Sequence, residues 1–530
     1  MIRKLFLFII IGSAIIAQDQ NKGQDIELPD FVITGIQSVD IPTMAKRKID
    51  LIPVLSNEFF NPVFSPEELE MSKDSNPITR NVDILSSKDY NNGILKLGAG
   101  IHVLPYGEFN FTQSFQHFVM NAKVFGKNTK SYIDNAGYNI SGAELNTDIY
   151  ISNQSNAFPG LNISLDGNIF RDKYKFYGST NPNLERETTN GFGSLSFINY
   201  YNREVSYGLT FDGSYLNINE NGFDELNYGV KGFWQSKFNY FGFRVNAEFQ
   251  QQSLQNNLSV NADNKYYGIN SAIKLSPSKI LTLELGLSMA KQDSNSFITP
   301  FVGANIKLEK GISLFAEYHP QYQFNSIREL ININRYMKFG NAENYFVKDN
   351  SKFKLAIKYE YLTQFDVSAG FEARTVDNYF YFEDRTSTGF FDTYKEDDVK
   401  IVTLFLNSNL LTNRFGNFFA DLRIQDARAS FNNVIPYEPG VVFTAAYNYN
   451  FNFGLNATLR YKFSSESYSD IQNSVKLPYL NSLDLFVKYE LFTNFYTFAE
   501  LNNIINNKNY YWKLYQEKTF DVLLGIEYQF

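Results

Sequence analysis

The sequence predicts an all-β protein, a transmembrane antiparallel β-barrel of about 22 strands preceded by an irregular N-terminal segment. Three observations support this fold class. From residue 93 onward, apolar and polar residues alternate with a period of two, which is typical of strands that have two different faces. Short and long polar connections take turns between these strands, and the chain ends with an amphipathic strand whose last residue is Phe530.

The composition fits a barrel better than a soluble protein of this length. Of 530 residues, 17% are aromatic and 20% are charged, and none is cysteine. Without cysteine the chain has neither a lipoprotein anchor nor disulfides, and a thiolate metal site has no support. The formal net charge of −8 argues against a nucleic-acid partner, which would bind to a basic face.

Residues 1–17 have the three parts of a secretory signal peptide. Arg3 and Lys4 are positive, residues 5–16 are apolar, and Ala17 is a small residue at a cleavage point. The apolar run is too short to cross a bilayer, and nothing downstream reaches the roughly 18 to 20 apolar residues of a transmembrane helix. We therefore expect export from the cytoplasm and a location in the outer membrane of a Gram-negative cell.

Residues 18–92 differ from the rest of the chain because prolines interrupt every short apolar run. These prolines are Pro29, Pro42, Pro53, Pro62, Pro66 and Pro77. We expect extended pieces and loops on the periplasmic side. They either occlude the barrel lumen or form a tether to a periplasmic partner.

Residues 352–361 indicate that one face of the strands is wet. Phe353, Leu355 and Ile357 share one face, and three lysines and Glu360 share the other. Burying the second face in a dry core would strand four charges, so we expect a water-filled lumen on that side. By the same parity, the candidate lumen-facing residues are Lys352, Lys354, Lys358, Glu360, Arg460, Lys462, Asp484, Lys488 and Glu490. They line a permeation path, bind the N-terminal segment, or form a generic wet wall.

The connections between strands are of two kinds. Short connections are predicted at residues 238–240, 276–278, 309–311, 363–364, 412–413 and 493–494, and long polar ones at 256–264, 325–350, 383–398, 464–481 and 502–519. This alternation is expected when tight turns face the periplasm and long loops face the outside. Residues 325–350 are then an extracellular, mobile polar loop. Counting strands back from the C-terminus gives about 22, with 20 or 24 as alternatives, and a propeller is disfavoured because each repeat supplies too few strands for a blade.

The C-terminal residues carry a resemblance to known outer-membrane proteins. Tyr528 and Phe530 resemble the C-terminal signature that the barrel-assembly machinery reads. Residues 502–511 resemble the N-L-F-N-x-x-Y-Y-like loop near the end of TonB-dependent receptors, and residues 28–35 are similar to the segment before the plug in that family. The candidate coupling segment comprises Asp30, Phe31, Val32, Ile33, Thr34 and Gly35.

This resemblance implies a barrel in outer-membrane lipid that binds a solute or takes it up. It also implies the barrel-assembly machinery and a TonB-type energising protein, or another periplasmic partner, as partners. Residues 36–92 are too few for the full plug of that family, so we expect none. The alternative function is a passive pore, or a structural or partner-binding barrel without energy coupling. We expect no enzyme activity, metal or cofactor, because the only histidines are His102, His117 and His319 and no nucleophile with an adjacent base is evident.

Overall fold

The structure, a computed structural model, describes residues 92–530 except residues 116, 203, 220–221, 239, 256–261, 293–294, 309–310, 339–344, 362–363 and 413–414. The predicted signal peptide, the coupling segment at residues 30–35 and nearly all of the proline-interrupted segment lie outside the described residues.

Strands dominate the described residues. In chain order the elements are β1 (Gly93–Gly100), β2 (Val103–Phe115), β3 (Phe118–Thr129), β4 (Tyr138–Tyr150), β5 (Leu161–Lys175), β6 (Glu185–Asn199), β7 (Val205–Ile218), β8 (Phe223–Phe238), β9 (Phe241–Gln255), β10 (Ala262–Leu275), β11 (Leu281–Gln292), β12 (Asn295–Lys307), β13 (Ile312–Tyr318), β14 (Tyr322–Asn325), α1 (Ile327–Ile333), β15 (Tyr345–Tyr361), β16 (Phe365–Asp377), β17 (Tyr379–Glu383), β18 (Asp392–Glu396), β19 (Val399–Thr412), β20 (Gly416–Arg428), β21 (Val441–Phe451), β22 (Leu455–Ser464), β23 (Ser467–Tyr468), β24 (Lys476–Leu477), β25 (Leu480–Phe492), β26 (Phe495–Asn502), β27 (Tyr510–Trp512), β28 (Tyr515–Gln516) and β29 (Asp521–Gln529). Among the described residues, no helix has the length and apolar character needed to cross a membrane.

Twenty-two wall strands form one closed antiparallel barrel, as predicted. Each wall strand pairs with the next along the chain, and β1 pairs with β29 to close the ring. β13 and β14 both pair with β15 and together occupy one position in the wall. The remaining strands form three small hairpins outside the wall, namely β17–β18, β23–β24 and β27–β28.

The two faces of the wall differ as the sequence parity predicts. Phe353, Leu355 and Ile357 on β15 are 43% to 50% exposed, whereas Lys354 between them is 3% exposed. An exposed apolar face and a polar opposite face are what a barrel in lipid requires. The apolar side chains therefore lie on the outer face of the barrel.

The ring closes through the last residue of the chain. The backbone N–H of Gly93 donates to the carbonyl oxygen of Phe530 at 2.9 Å, and the Phe530 N–H donates back to Gly93 at 2.9 Å. A Cβ atom at Gly93 would lie 2.2 Å from the Phe530 ring, so a larger residue there would displace that ring. The Phe530 ring also stacks on Phe109 of β2. Phe530 thus joins both ends of the barrel chain at the seam.

The two ends of the barrel are built differently. At the end that holds Gly93 and Phe530, here called the turn end, short connections such as 239–240, 413–415 and 493–494 join the strands. At the opposite long-loop end the larger connections are 326–344, 378–398, 465–479 and 503–520. The predicted alternation of short and long connections holds at these positions, although residues 151–160 at the turn end form a longer connection than residues 101–102 at the opposite end. The long connections are not plain polar loops, however, because they contain α1, three hairpins and buried apolar side chains.

Candidate functional site

Four connections at the long-loop end pack into one body, here called the loop cap. It consists of residues 176–184, 326–338, 378–398 and 503–520. Its hydrophobic core combines loop residues with inward-facing residues from the ends of β5, β7, β8 and β9. The buried members are Tyr174, Phe176, Leu216, Ile218, Phe223, Leu254, Ile327, Leu330, Ile331, Tyr336, Met337, Phe382, Phe391 and Tyr515.

Local sequence explains why α1 forms within this cap. Ser326 is the N-cap residue, and its side chain accepts a hydrogen bond from the Glu329 N–H while the Glu329 carboxylate accepts from the Ser326 N–H. Leu330 and its neighbours Ile327 and Ile331 are buried. A helix of seven residues is too short to be stable by itself in water, so its packing in the cap maintains it.

The barrel wall holds α1 through a buried carboxylate. Glu225 of β8 is fully buried, and its two oxygens accept hydrogen bonds from the backbone N–H groups of Ile327 and Arg328, each at 2.8 Å. Gln252 of β9 donates a further hydrogen bond to the same carboxylate. A buried carboxylate is tolerated only when it is paired in this way. Glu225 therefore fixes the start of α1 to the wall.

Arginine contacts hold the other end of the same connection. The Nη2 atom of Arg335 lies 2.6 Å from the Oδ2 atom of Asp172 on β5, and its guanidinium lies 4.7 Å from the centre of the Tyr174 ring. Burial lowers the pKa of Arg335, but the Asp172 carboxylate raises it above its ordinary value, so the side chain stays charged. Arg186 of β6 donates to the carbonyl oxygens of Arg335 and Met337, at 3.1 and 2.7 Å.

Contacts between the loops complete the cap. The Thr180 N–H donates to the Thr388 carbonyl oxygen at 2.9 Å, and the Tyr515 hydroxyl donates to the Gly389 carbonyl oxygen at 2.6 Å. The rings of Tyr336 and Tyr515 stack with centroids 3.6 Å apart. Residues 326–338, 378–398, 503–520 and 176–184 therefore all touch at least one other member of the cap.

The predicted lumen-facing lysines on β15 lie among carboxylates. Lys354 pairs in register with Glu317 of β13 on one side and Glu372 of β16 on the other. The Nζ atom of Lys358 lies 2.7 Å from the Oε1 atom of Glu360. Nearer the long-loop end, the predicted Lys352 donates to the side-chain oxygen of Gln321 at 3.1 Å. These four predicted residues thus form one group on a single strand.

The other predicted residues lie on β22 and β25. Arg460 faces Asp484 across the register between the two strands, and Lys462 faces Ser482. Lys488 is buried and donates to Glu527 of β29 at 2.6 Å. Glu490 is exposed near the turn end. The nine predicted residues therefore fall into separate groups, and a role for any of them in permeation stays a prediction.

Sequence reasoning missed the groups that anchor the loop cap. Asp172, Arg186 and Glu225 have the inward parity that marked the other candidates, and this signal was available in the sequence. Their partners Ile327, Arg328, Arg335 and Met337 lie more than a hundred residues away in a connection. Only the folded chain shows that these residues meet.

A recess on the inner wall is lined by both polar and apolar groups. Its volume is about 260 Å³, and it lies on β7, β8, β9 and β10. Its lining combines a lysine, a glutamate, two asparagines and an aromatic ring. These residues are Lys231, Glu248, Asn246, Asn270 and Phe233.

Ser288, His319 and Glu317 form a hydrogen-bonded chain on the inner wall. His319 Nδ1 lies 3.0 Å from Glu317 Oε1, and His319 Nε2 lies 3.4 Å from Ser288 Oγ. Hydrolytic enzymes use the same residue types, but a nucleophile must be presented to its substrate. Ser288 is buried and donates its proton to Asn270. The chain therefore fits a hydrogen-bond network within the wall.

Comparison with known proteins identifies the fold. No protein-family model matches the chain, and no curated protein matches it in sequence. Among solved structures, it resembles the siderophore receptor PirA from Acinetobacter baumannii with a TM-score of 0.64 and 10% identity, covering 84% of this chain and 82% of that one. It also resembles the closed form of the ferric-catecholate import receptor Fiu from E. coli K12, with a TM-score of 0.63 and 11% identity over 84% of this chain and 83% of that one.

A third solved structure gives the same result. The FrpB iron transporter from Neisseria meningitidis matches with a TM-score of 0.63 and 11% identity, covering 84% of this chain and 82% of that one. At such identities the likeness shows the fold alone. The chain has the β-barrel fold of these outer-membrane uptake receptors, and the resemblance to TonB-dependent receptors predicted from its C-terminal residues is confirmed for the barrel.

Proposed function

We propose that this chain is an outer-membrane receptor that binds a solute at its loop cap and admits it through the barrel. The observation that carries the proposal is the cap itself. Arginines, tyrosines and buried carboxylates meet over one end of a barrel of 22 strands. Barrels of this size are wide enough to pass a solute and are normally closed by additional structure.

Iron–siderophore complexes are the first class of solute to test. This choice rests on the solved structures that the barrel resembles, which include a siderophore receptor and a ferric-catecholate import receptor. Energy coupling is a second part of the proposal, and it depends on residues 30–35 binding a TonB-type protein. A passive pore, or a barrel that only binds a partner, is the competing function.

The two tryptophans of the chain allow a direct binding test. Trp512 lies in the cap against Phe391 and Tyr437, whereas Trp234 is exposed on the outer face of the barrel. In the Trp234→Phe variant, Trp512 is the only tryptophan and reports on the cap. We expect ferric siderophores to change its emission in a saturable way, with a Trp512→Phe variant as the control.

Uptake should then depend on the same solute. Cells that rely on this chain should accumulate the iron complex that changes Trp512 emission, and a deletion of residues 30–35 should abolish accumulation while binding persists. If no iron complex binds and the purified mature protein shows a large, unselective conductance in planar bilayers, the passive-pore function is correct instead.

A further inference from the structure

We propose that the loop cap is the permeability barrier of this barrel, held shut by three wall residues, Asp172, Arg186 and Glu225. This inference goes beyond solute binding and needs no solute. It also differs from the expectation, drawn from the sequence, that the N-terminal segment closes the lumen. The cap would then close the lumen, which a plug closes in other barrels of this size.

The barrel lumen that must be covered is wide. Barrels of about 16 to 18 strands already leave an aqueous channel, and this wall has 22 strands. Its inner face includes small residues such as Gly268 and Gly286, which fill little space. Inward side chains alone cannot close such a lumen.

Two of the cap loops start far apart on the barrel wall. Residues 176–184 connect the fifth and sixth wall strands, and residues 378–398 connect the fifteenth and sixteenth. In a ring of 22 strands these positions are nearly opposite each other. Thr180 from the first loop nevertheless donates a backbone hydrogen bond to Thr388 in the second. The loops must therefore cross the mouth of the barrel to meet.

The contacts between the cap loops exclude water. Phe176, Leu330 and Phe391 come from three different cap loops, and each is 0% exposed. Tyr515 from the fourth loop is 1% exposed. A core in which residues from all four loops are excluded from solvent leaves no continuous water path between those loops. An ion passing between those loops would have to displace them.

Three side chains of the barrel wall hold residues 326–338 in place. Glu225 accepts from two backbone N–H groups of α1, Asp172 pairs with Arg335, and Arg186 donates to two carbonyl oxygens of the same connection. Side chains on the wall strands therefore hold both ends of residues 326–338. Changing a carboxylate to its amide keeps the shape but replaces an acceptor oxygen by an NH₂ donor, which leaves buried partners unpaired.

Single-channel conductance of the full mature protein in planar bilayers tests the proposal. The wild type should be closed, and the Asp172→Asn/Glu225→Gln variant should conduct at least tenfold more on average. A matched control, Glu466→Gln/Lys476→Gln, removes an exposed ion pair from another long connection and should behave as the wild type. A variant lacking residues 18–85 should also stay closed.

A second variant covers the case in which the wall substitutions disturb assembly. Arg335→Gln removes the ion pair from the loop side and leaves every wall strand unchanged, so it should conduct more than the wild type. Each variant is first shown to be folded by its heat-modifiable electrophoretic mobility. A folded Arg335→Gln or Asp172→Asn/Glu225→Gln barrel that stays closed, or an open wild type, overturns the proposal, as does a barrel opened only by loss of residues 18–85.

Reversible locking provides the last measurement. Because the chain has no cysteine, a Lys338→Cys/Asp392→Cys pair, which joins residues 326–338 to residues 378–398, is the only thiol pair in an otherwise unchanged protein. In the opened Asp172→Asn/Glu225→Gln background, oxidation should return the conductance to the wild-type value and a reductant should restore it. Confirmed cross-linking without any change in conductance contradicts the proposal. Solute uptake does not enter these measurements, so the barrier and the proposed uptake fail or succeed separately.

Discussion

The turn end and the long-loop end of this barrel join the same strands in opposite ways. At the turn end, connections are short and aromatic residues such as Tyr240 and Phe492 are exposed. At the long-loop end, connections fold over the mouth and bury Leu330, Met337 and Phe391 completely or nearly so. The wall is apolar outside, as lipid requires, whereas the cap is apolar inside, as water requires. The apolar side chains of the wall therefore face outward, whereas those of the cap face inward.

This difference implies that the two ends can be damaged independently. The seam at the turn end decides whether the barrel closes at all, because Phe530 pairs with Gly93 there. The cap decides what passes through a barrel that has already closed. Substitutions at the two ends should accordingly give different phenotypes, the first in assembly and the second in gating and local stability.

The largest expected effect comes from the seam. Replacing Tyr528 and Phe530 by aspartate places two charges on the outer face, where both aromatic rings are nearly half exposed and stack on each other. Charges on the lipid face oppose assembly, by an amount that depends on depth. We expect the heat-modifiable folded band to disappear. Phe431→Asp, at a long-loop residue that is 87% exposed, is the control and should leave the folded yield unchanged.

A labelling experiment tests which end faces the outside. Phe431 lies at the long-loop end and Phe158 at the turn end, and both are well exposed. With an impermeant thiol reagent on intact cells, Phe431→Cys should be labelled fully and Phe158→Cys only after the outer membrane is lysed. The reverse pattern would invert the orientation. Asn334 also lies in the predicted extracellular loop, but it is buried, so a cysteine at that position would not be accessible to the reagent.

Truncating the core of the cap should loosen it without opening the seam. Leu330→Ala removes a fully buried side chain, and such changes cost about 2–5 kcal/mol. The urea midpoint of Trp512 emission should fall, while the folded band of the barrel persists. Ile504→Ala, at a partly exposed cap residue, is the control and should move that midpoint little. An equal effect of both variants would mean that the cap lacks a core of its own.

The smallest expected effect is a dependence of the cap on pH. Burial raises the pKa of Glu517, and the charges of Arg335 and Lys518 offset this only in part. The Glu517 carboxyl group therefore binds its proton more tightly in the folded cap than in the unfolded cap. As a result, the stability of the cap falls as pH rises from about 4.3, the ordinary pKa of a glutamate, to the raised pKa of Glu517. Tyr132, Tyr177, Tyr336 and Tyr511 also face this carboxylate, and their own pKa values are raised, so they stay neutral in this range.

The Glu517→Gln variant measures that contribution. Between pH 4 and 7, the urea midpoint of Trp512 emission should decrease with pH in the wild type and stay flatter in the variant. Identical slopes for the two proteins would show that another group controls the pH dependence.

Much of the barrel was predictable because its information is local. The alternation around Lys354 predicts a strand with one apolar face, and the short turns fix where each strand ends. Because strands in such a barrel pair with their neighbours in the chain, strand number and order follow from the list of strands. The nine charged candidates came from the same parity, but their grouping into pairs depends on register, which the parity alone does not give.

The loop cap, in contrast, was decided by tertiary structure. The capping box at Ser326 is local, yet seven residues do not hold a helix without the surface they pack on. Glu225 meets α1 across about a hundred residues of chain, and Thr180 meets Thr388 across the mouth of the barrel. The sequence alone therefore determined an amphipathic barrel that closes through Phe530. Whether its long connections stay in solvent or fold over the mouth depends on contacts between distant residues, which leave no periodic pattern in the chain.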